Sequence, residues 1–583
     1  MRPDFEFTVP TARAVADVKA SIEAEIASRL PGGRIRRFWE GDVFRLVGMG
    51  ADGRIEVRPG EIRASASLKA PISFMKAKVE QGLRETVSRA AAGAPPTADV
   101  PRGEAAPAVP PPTEETVPPA ELDGLRDRVL GVVLPGAQAH DEFLTNFGHL
   151  HHWRPRLVVK PVSIEDVLGV LDHAARHGLT VSTRGAAHSQ SELAINRGGI
   201  LLDMKSMGRI LEVDEAARTV TVEAGAVWRD VVARTYRHGL MPPVLTNNLS
   251  VTVGGTLSIA GIGVASFKHG AQTDNVEELE VATVDGTVHR CSRREQPELF
   301  WGALAGLGQI GIILKAKLRL RAVKRMTRTY DLLYDDPRRF LEDARIAMDS
   351  GKWDYLESWC SPSVQGLKWV GGVRQPFARW LFPFHFTVEF DPGSPPDDAR
   401  MLEGLRPYDN LLVDDLPTHE FANRLLPTFD IWKRLGTWEH MHPWMEVILP
   451  WSTALDYLDA VLPDLSPGVQ VGGHVLLWPA RSSVSEVPLF MHPPEEYLIG
   501  FGILPAVPPR MWDTVRPRLQ AASELSIAMG GKRYLSGFID FTAEDWRQHF
   551  GDRFETFAAL KKRHDPEGRL NPGFVRFGSR EGS

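Results

Sequence analysis

The chain has 583 residues, a formal net charge of −6, 43% hydrophobic residues and 24% charged residues. This length favours about two to four domains, the acidic balance argues against a general nucleic-acid binder, and no run of about 18 apolar residues predicts a membrane span. Cys291 and Cys360 are too few for a disulfide framework or a zinc site, and the start lacks an apolar stretch of signal-peptide length, so we expect a cytoplasmic protein without a metal.

Residues 1–90 are predicted to form a small α-β-β-β-α module. Apolar residues recur every three or four positions between Val15 and Leu30, which predicts a helix ending at the "PGG" of 31–33. Alternating runs separated by Gly and Asp turns predict antiparallel strands, and "SFMKAKVEQGLRETVSRA" predicts a closing helix. This order, with "FWEGDVFRL", resembles the polyhydroxyalkanoic-acid-system domain of bacterial granule-associated proteins. The resemblance implies a bacterial protein whose module binds or oligomerises, with granule or lipid association as a further expectation.

Residues 91–122 are rich in Pro, Ala and Glu and almost lack large apolar side chains. Such a segment cannot bury enough surface to fold, so we predict a semi-extended linker. Beyond it the chain alternates strands with helices, starting with the strand "RLVVKP" and the helix "SIEDVLGVLDHAARHG". Ser163 is the predicted N-cap of that helix and Gly178 its C-terminal stop.

Three stretches of small residues stand out. "GLGQIG", at 306–311, matches G-x-G-x-x-G, but it follows a predicted helix and precedes the alternating strand "IILKAKLRLRA", which inverts the order of a dinucleotide fingerprint. "TVGGTLSIAGIGVASFKHG" covers 252–270, and "STRGAAHSQS" covers 182–191. Together they predict a backbone-lined groove for an extended, phosphate-bearing cofactor. From the residues alone, His188 is a hydrogen-bonding group, a metal ligand or a point of covalent attachment.

Six segments from about residue 130 to 577 occur in the order found in FAD-dependent oxidoreductases of the vanillyl-alcohol-oxidase type. They are "RGAAHS", "TNNLSVTVGGTLSIAGIGVASFKHGAQTDNVEELEVATVDG", "ELFWGALAGLGQIGII", "WDYLESW", "HPWMEVILP" and "KKRHDPEGRLNPG". They resemble the cytokinin dehydrogenases most closely. The resemblance implies an α+β, two-subdomain PCMH-type FAD-binding fold with an antiparallel-sheet substrate domain, joined to the small N-terminal module. The implied boundaries are 123–325 for the first part of the FAD-binding domain, 326–530 for the substrate domain and 531–583 for the return to the FAD-binding domain.

The same resemblance implies which residues hold the cofactor. His188 matches the histidine that carries the flavin covalently on its C8 methyl group; the alternative is FAD held noncovalently beside a hydrogen-bonding histidine. Ala187 replaces the second glycine of the family loop, and no cysteine in the glycine-rich segment supports a second attachment. The cofactor-binding residues implied by position are Arg184, Gly185, Ala186, Ala187, His188, Ser189, Thr252, Gly254, Gly255, Ser258, Ile262, Ile313, Tyr534 and Asn571.

The candidate catalytic residues are Asn247, Glu357 and Trp444. Asn247 stands where the family has an aspartate, and an amide orients a substrate but cannot act as a base near neutral pH. Glu357 is the nearest family-matched carboxylate, whose pKa would rise in a dry pocket; the alternative is a solvated or ion-paired glutamate. Trp444 matches a tryptophan of the substrate pocket, with plain core burial as the alternative.

The implied enzyme is an FAD-dependent oxidase or dehydrogenase that transfers a hydride from an amine or alcohol C–H to covalently held flavin. The substrate is expected to be planar or apolar, with oxygen or another acceptor for the electrons, and with neither nucleic acid nor integral membrane contact. Two alternatives stay open: a sugar, lactone or secondary-metabolite alcohol oxidase of the same fold, and a granule- or lipid-associated binding protein with weak flavin chemistry.

Overall fold

The computed structural model describes residues 3–29, 36–48, 51–68, 76–92, 117–370, 373–465 and 473–578. The chain divides into two compact units, one containing residues 1–113, 364–379 and 456–467, and the other containing the remainder. Among the described helices, none combines the length and the apolar character that a membrane crossing requires.

The N-terminal part is a five-stranded antiparallel sheet with two helices. Its elements are β1 (Phe5–Pro10), α1 (Val15–Arg29), β2 (Arg36–Glu40), β3 (Val43–Gly48), β4 (Ala51–Arg58), β5 (Glu61–Leu68) and α2 (Lys76–Ala92). The strand order is β1-β5-β4-β3-β2, and Ile22 of α1 and Val87 of α2 are buried in one core with the strands. The predicted α-β-β-β-α order is therefore incomplete, because β1 precedes α1 with Phe5 and Phe7 buried on one face, and the next run is a hairpin of two strands. The predicted stop at 31–33 lies outside the described residues.

The larger unit starts with a helix inside the predicted linker. Its first elements are α3 (Pro119–Arg126), β6 (Val132–Pro135), β7 (Leu157–Lys160), α4 (Ile164–His177), β8 (Val181–Arg184) and β9 (Ile200–Asp203). The linker prediction is wrong over 119–122. Leu122 packs against a buried core, and this burial offsets the conformational entropy that the chain loses when α3 forms. In α4, the Ser163 side chain accepts a hydrogen bond from the Asp166 amide, and Gly178 ends the helix with a left-handed backbone, as predicted.

A four-stranded sheet and a five-stranded sheet make the first part of this unit. The four strands have the order β6-β7-β9-β8, with β7, β9 and β8 parallel. The following elements are β10 (Ile210–Asp214), β11 (Thr219–Glu223), α5 (Trp228–Tyr236), β12 (Leu240–Met241), α6 (Val253–Leu257), α7 (Ser266–His269), β13 (Val276–Ala282), β14 (Val288–Ser292), α8 (Pro297–Ala303), β15 (Ile312–Arg319) and β16 (Arg321–Ala322). The five-stranded sheet is antiparallel in the order β10-β11-β15-β13-β14. "GLGQIG" lies between α8 and β15, so the inverted helix-to-strand order is confirmed.

An eight-stranded sheet starts at Met326. The remaining elements are β17 (Met326–Tyr334), α9 (Pro337–Ser350), β18 (Tyr355–Val370), β19 (Val373–Phe390), α10 (Asp398–Leu402), β20 (Asp409–Pro417), α11 (Thr418–Ala422), α12 (Leu426–Arg434), β21 (Met445–Pro450), α13 (Trp451–Val461), β22 (His474–Arg481), β23 (Tyr497–Leu504), α14 (Trp512–Ala528), β24 (Lys532–Arg533), α15 (Ala543–Phe550) and α16 (Arg553–His564). The sheet order is β20-β17-β19-β18-β22-β23-β21-β24. Helices and largely antiparallel sheets confirm the predicted α+β class.

The C-terminal segment returns to the start of the larger unit. Leu570 bridges Val181 of β8, and the Asn571 amide donates to the Val181 carbonyl over 2.9 Å. Phe550 of α15 and Phe557 of α16 are buried in the same core as β11 and β13. The chain thus closes against the loop that follows β8.

Candidate active site

A cavity of about 640 Å³ lies in the larger unit, within the range of about 300–1,000 Å³ usual for ligand sites. All the candidate residues proposed from the sequence line this one cavity, although they come from seven separate segments of the chain. They are Arg184, Gly185, Ala186, Ala187, His188, Ser189, Asn247, Thr252, Gly254, Gly255, Ser258, Ile262, Ile313, Glu357, Trp444, Tyr534 and Asn571. No group of three or more His, Cys, Asp or Glu side chains in the described part of the chain could hold a metal ion.

Arg184, the last residue of β8, turns its guanidinium into the protein. Its Nη1 donates to the carbonyls of Thr145 (2.7 Å) and Ala194 (3.0 Å), and its Nη2 donates to that of Glu142. The sequence implied a contact with a pyrophosphate, but three backbone carbonyls already take these donors. Arg184 therefore braces the loop that follows β8 through these three hydrogen bonds.

At Gly185, the loop after Arg184 approaches the N-terminus of α6 too closely for a larger residue. A Cβ on Gly185 would lie 2.0 Å from Thr252 Oγ1. Ala187 has a left-handed φ of 55°. Among the described residues, no acceptor takes the amides of Ala186, Ala187 and His188. Successive free amides beside a left-handed residue form a concave nest that binds anions, which suits a phosphate group.

His188 lies in an aromatic cluster at the cavity wall. Its ring centroid is 4.3 Å from that of Phe147 and 5.6 Å from that of Trp444, which meets it edge-on. The Phe147 amide donates to the Ala187 carbonyl over 2.8 Å and so fixes the loop. Burial lowers the pKa of His188 to about 4. The imidazole is therefore neutral near pH 7, and a neutral ring nitrogen retains the lone pair that a nucleophile needs.

The "GLGQIG" stretch forms the next part of the wall. The Leu307 amide donates to the Ser258 carbonyl over 2.9 Å, and Leu307 and Gly308 both have left-handed φ values. Asn571 Nδ2 donates to the Gly308 carbonyl over 2.8 Å, while Asn571 Oδ1 accepts from the Thr183 amide at 3.3 Å. Asn571 thereby joins the glycine stretch to β8. The glycines allow close approach of backbone segments, since a Cβ on Gly308 would lie 2.4 Å from Asn571 Nδ2.

Tyr534 is fixed beside the turn that follows α6. Its hydroxyl donates to the Ala260 carbonyl over 3.2 Å and accepts from the Ile262 amide at 3.3 Å. Both Tyr534 and Ile262 line the cavity. The aromatic ring is therefore held against a backbone turn, as a flat wall for a flat ligand.

These features fit FAD. The wall formed by residues 184–189, 252–258 and 306–311 is backbone and small side chains, and Arg184 is the one Lys or Arg among the described lining residues. A phosphate in this part would be met by main-chain amides, while the apolar, aromatic remainder suits a flat ring system.

Three polar side chains form a closed network in another part of the wall. Asn247 Nδ2 donates to Glu357 Oε1 over 2.8 Å, Arg424 Nε donates to Glu357 Oε2 over 2.9 Å, and Arg424 Nη2 donates to Asn247 Oδ1 over 3.0 Å. The Glu357 side chain, on β18, is 7% exposed. Both of its oxygens are thus engaged, and the ion pair considered as the alternative for Glu357 is present. Sequence reasoning missed Arg424, because no local pattern links it to Asn247.

Trp444 combines the two roles considered for it. It is 8% exposed and belongs to an aromatic core with Phe147 and Trp432. It also lines the cavity, beside Trp359 and Phe429. Its wall position and its core burial are compatible, since one edge of a large aromatic ring packs inside while another faces the cavity.

Two further titratable groups line the cavity and were missed. Glu446, on β21, is buried and accepts a hydrogen bond from Ser536 Oγ to Oε2 over 2.8 Å. Burial raises its pKa to about 7, although the Ser536 hydroxyl and the charge of Arg533 oppose this shift. Burial lowers the pKa of His474 to about 4, against the opposing charge of Glu357. The signal for Glu446 was present, because a lone glutamate interrupts the apolar run "WMEVILP".

Comparison with known proteins shows which family the chain resembles. Residues 155–292 match the FAD binding domain, and residues 399–577 match the domain described as "Cytokinin dehydrogenase 1, FAD and cytokinin binding". The chain is 30% identical over 431 residues to the uncharacterized oxidoreductase ORF5 of the fasciation locus of Rhodococcoides fascians, covering 74% of this chain and 95% of that protein. It is 31% identical over 467 residues to cytokinin dehydrogenase 9 of Oryza sativa subsp. japonica, covering 73% and 87% of the two chains. Cytokinin dehydrogenase 1 of Arabidopsis thaliana is 28% identical over 501 residues, with 79% and 86% covered.

The matched regions contain the loop with His188, and they reach the closing segment with Asn571. The FAD-dependent oxidoreductase expected from the sequence is therefore confirmed, with a small-molecule substrate and an electron acceptor. The chain belongs to the cytokinin-dehydrogenase family of FAD-dependent oxidoreductases.

Proposed function

We propose that this FAD-dependent oxidoreductase holds its flavin covalently through His188 and oxidises a planar or apolar amine or alcohol at a C–H bond next to nitrogen or oxygen. The observation that carries the proposal is the placement of His188, a partly exposed imidazole whose pKa desolvation lowers to about 4, in the wall of a cavity that fits FAD. FAD, when bound, supplies the acceptor for the hydride. The candidate residues Arg184 through Ser189, with Thr252 and Asn571, would position it.

Asn247 supports an orienting role for the polar network. Its amide orientation is determined by its partners, since the Glu357 carboxylate can only accept and the Arg424 guanidinium can only donate. The second N–H of Nδ2 remains for a substrate. The site thus offers a hydrogen-bond donor where the resembling family has an acceptor, so a substrate with an acceptor nitrogen or oxygen is favoured. Several relatives are named cytokinin dehydrogenases, and cytokinins, which are planar amines, are one candidate within this class.

The flavin attachment is tested by acid precipitation of the purified protein. We expect the wild-type pellet to stay yellow, because a covalent bond survives denaturation, and the His188→Ala pellet to be colourless. His238→Ala is the matched control, because His238 is outside the cavity and pairs with Glu215. Colour released from the wild-type pellet would favour noncovalent FAD, and acid-stable colour in His188→Ala would place the bond elsewhere.

The substrate class is tested by anaerobic bleaching of the flavin with a panel of amines, alcohols, sugars and lactones. We expect secondary amines or alcohols with a flat, apolar neighbouring group to bleach it fastest. Bleaching by sugars or lactones alone would favour the alternative oxidase. A colourless protein, or one that no compound bleaches, would favour the binding protein with weak flavin chemistry.

We also propose the domain boundaries stated above, with the linker ending before α3, and a binding or oligomerising role for residues 1–90. The resemblance to granule-associated bacterial proteins supports granule or lipid association through this module. The small number of cysteines supports a cytoplasmic location. A chain that starts at Val117 should keep its flavin and its turnover but lose association with granules or vesicles. Loss of turnover would instead give the module a part in the catalytic site.

A further inference from the structure

Two carboxyl side chains, those of Glu357 and Glu446, are present among the described residues that line the cavity. The oxygens of Glu357 are both engaged, one by Asn247 and the other by Arg424. Glu446 differs, because Oε2 accepts from Ser536 over 2.8 Å and no donor in the described ranges reaches Oε1. Of these two carboxyl groups, Glu446 is therefore the one with an oxygen, Oε1, that is available to accept a hydrogen bond.

Glu446 lies among residues assigned to the flavin and to the substrate pocket. Trp444, two positions earlier in the chain, lies on the same cavity wall and contacts the ring of His188. Tyr534 directly follows β24, the strand paired with β21, and its amide donates to the Glu446 carbonyl over 2.9 Å. Glu446 thus connects the aromatic cluster around His188 with the tyrosine that is fixed beside Ile262.

The charged and titratable groups that face Glu446 are few. Arg533 is the nearby cation, and its guanidinium donates to the Glu446 backbone carbonyl, to Ser523 Oγ and to the Phe538 carbonyl. Tyr534 is the other titratable neighbour, and burial raises the pKa of its hydroxyl. Arg533 therefore moderates the cost of ionising Glu446 by its charge.

We infer that Glu446 is the proton acceptor of this enzyme, and that Oε1 takes the N–H or O–H hydrogen of the substrate. The inference rests on the proposed function. The hydride leaves the substrate carbon with both electrons of the C–H bond, and bound FAD is the oxidant. The proton passes from the substrate nitrogen or oxygen to Oε1, and the electron pair of the broken N–H or O–H bond becomes the second bond of C=N or C=O. The substrate therefore carries a hydrogen on the reacting nitrogen or oxygen, as in a primary or secondary amine or an alcohol, and a tertiary amine or an ether would not react.

The burial of Glu446 agrees with this role. A carboxyl group with a pKa of about 7 is partly ionised near neutral pH, where a general base works most effectively. Because only the ionised form accepts a proton, the rate should rise with pH up to about 7 and then level off. The Ser536 hydroxyl stabilises the ionised form, so its removal should move this rise to higher pH.

The test compares flavin-loaded wild type, Glu446→Gln and Ser536→Ala, each checked for equal flavin content. The rate of anaerobic bleaching is measured from about pH 5 to about pH 9, with the secondary amine or alcohol that bleaches the wild type fastest. We expect Glu446→Gln to lose about 100-fold or more in rate and to lose the rise with pH. Ser536→Ala should keep the rise with its midpoint displaced upward. An unchanged pH profile in Glu446→Gln would overturn the assignment of the base.

Infrared difference spectra of the substrate-free holoenzyme give a second readout that does not depend on turnover. The wild type should show a protonated carboxyl band that disappears with a midpoint near pH 7, Ser536→Ala should show it displaced upward, and Glu446→Gln should lack it. Persistence of this band in Glu446→Gln would overturn the inference. If no amine or alcohol bleaches the wild type, this result contradicts both the proposed function and the assignment of Glu446 as the base. If the wild type is bleached and Glu446→Gln keeps its pH rise, the assignment of Glu446 fails alone.

Discussion

The cavity has two kinds of wall. The backbone wall, formed by residues 184–189, 252–258 and 306–311, is mostly main chain and small side chains. The charged wall is formed by Asn247, Glu357 and Glu446, and Arg424, which is not among the lining residues, bonds to Asn247 and Glu357. In the backbone wall the distances between neighbouring segments leave no room for an added carbon atom. In the charged wall, each side chain is held in place by the charge or the hydrogen bonds of its neighbours.

Substitutions in the two walls should therefore affect different properties of the protein. A change in the backbone wall alters the shape of the groove, so the expected loss is that of the cofactor. A change in the charged wall leaves the groove but removes a partner from a buried charge, so the expected loss is that of stability or of pH response. Substitutions that separate these outcomes test whether the distinction holds.

Gly185→Ala should have the largest effect. The new Cβ would lie 2.0 Å from Thr252 Oγ1, so the loop or α6 must shift and the anion nest must change shape. We expect most of the bound flavin to be lost, measured as the ratio of flavin to protein after purification. Gly393→Ala is the control, because a Cβ there would have no neighbour within 4 Å. A full flavin complement in Gly185→Ala would show that the backbone wall adapts.

Arg424→Ala should cost about 4 kcal/mol in the free energy of unfolding, because it leaves the buried Glu357 carboxylate without its countercharge. The Glu357 side chain is 7% exposed and that of Arg424 is 16% exposed. Urea unfolding of the two holoenzymes measures the difference. The double variant Arg424→Ala with Glu357→Gln should recover a large part of the loss, because no unpaired charge remains. Equal losses in the single and the double variants would contradict a role for charge.

Glu446 should make stability depend on pH. Its pKa is raised by burial from 4.5 to about 7, so the folded protein retains a proton that the unfolded chain loses. The free energy of unfolding should therefore fall as the pH rises from about 4.5 to about 7, by about 3 kcal/mol in total, and stay level above that. Glu446→Gln should lack this part of the decline. The measurement is the unfolding midpoint of both proteins across this range, and parallel curves would contradict the burial of an ionisable Glu446.

Tyr534→Phe should have the smallest effect, about 1 kcal/mol in stability. The hydroxyl that it removes bonds the Ala260 carbonyl and the Ile262 amide, while the ring that lines the cavity remains. Flavin content should therefore stay close to that of the wild type. Tyr236→Phe is the control, because its hydroxyl makes a long bond of 3.4 Å at the surface. Loss of flavin in Tyr534→Phe would mean that the hydroxyl itself supports the cofactor.

Local features of the sequence predicted much of the fold. The caps of α4 lie within a few residues of their partners, so Ser163 and Gly178 were readable directly. The alternation of Lys315 and Lys317 with apolar residues predicted β15, and so separated "GLGQIG" from a dinucleotide fingerprint. The collinear motifs then brought His188 and the other candidate residues to one site. The short strand β1 and the start of α3 were missed, because each is stabilised by packing against distant segments.

The chemistry of the charged wall was decided by the tertiary structure. Arg424 meets Asn247 across 177 positions of the chain and Glu357 across 67, and Ser536 meets Glu446 across 90. The sequence by itself predicted a groove for a phosphate-bearing cofactor, and the resemblance carried by its ordered motifs implied FAD and part of the lining, because small residues and motifs are local properties. Only the folded chain decided that both oxygens of Glu357 are engaged while one oxygen of Glu446 is not, because burial and hydrogen bonding depend on which distant side chains come together.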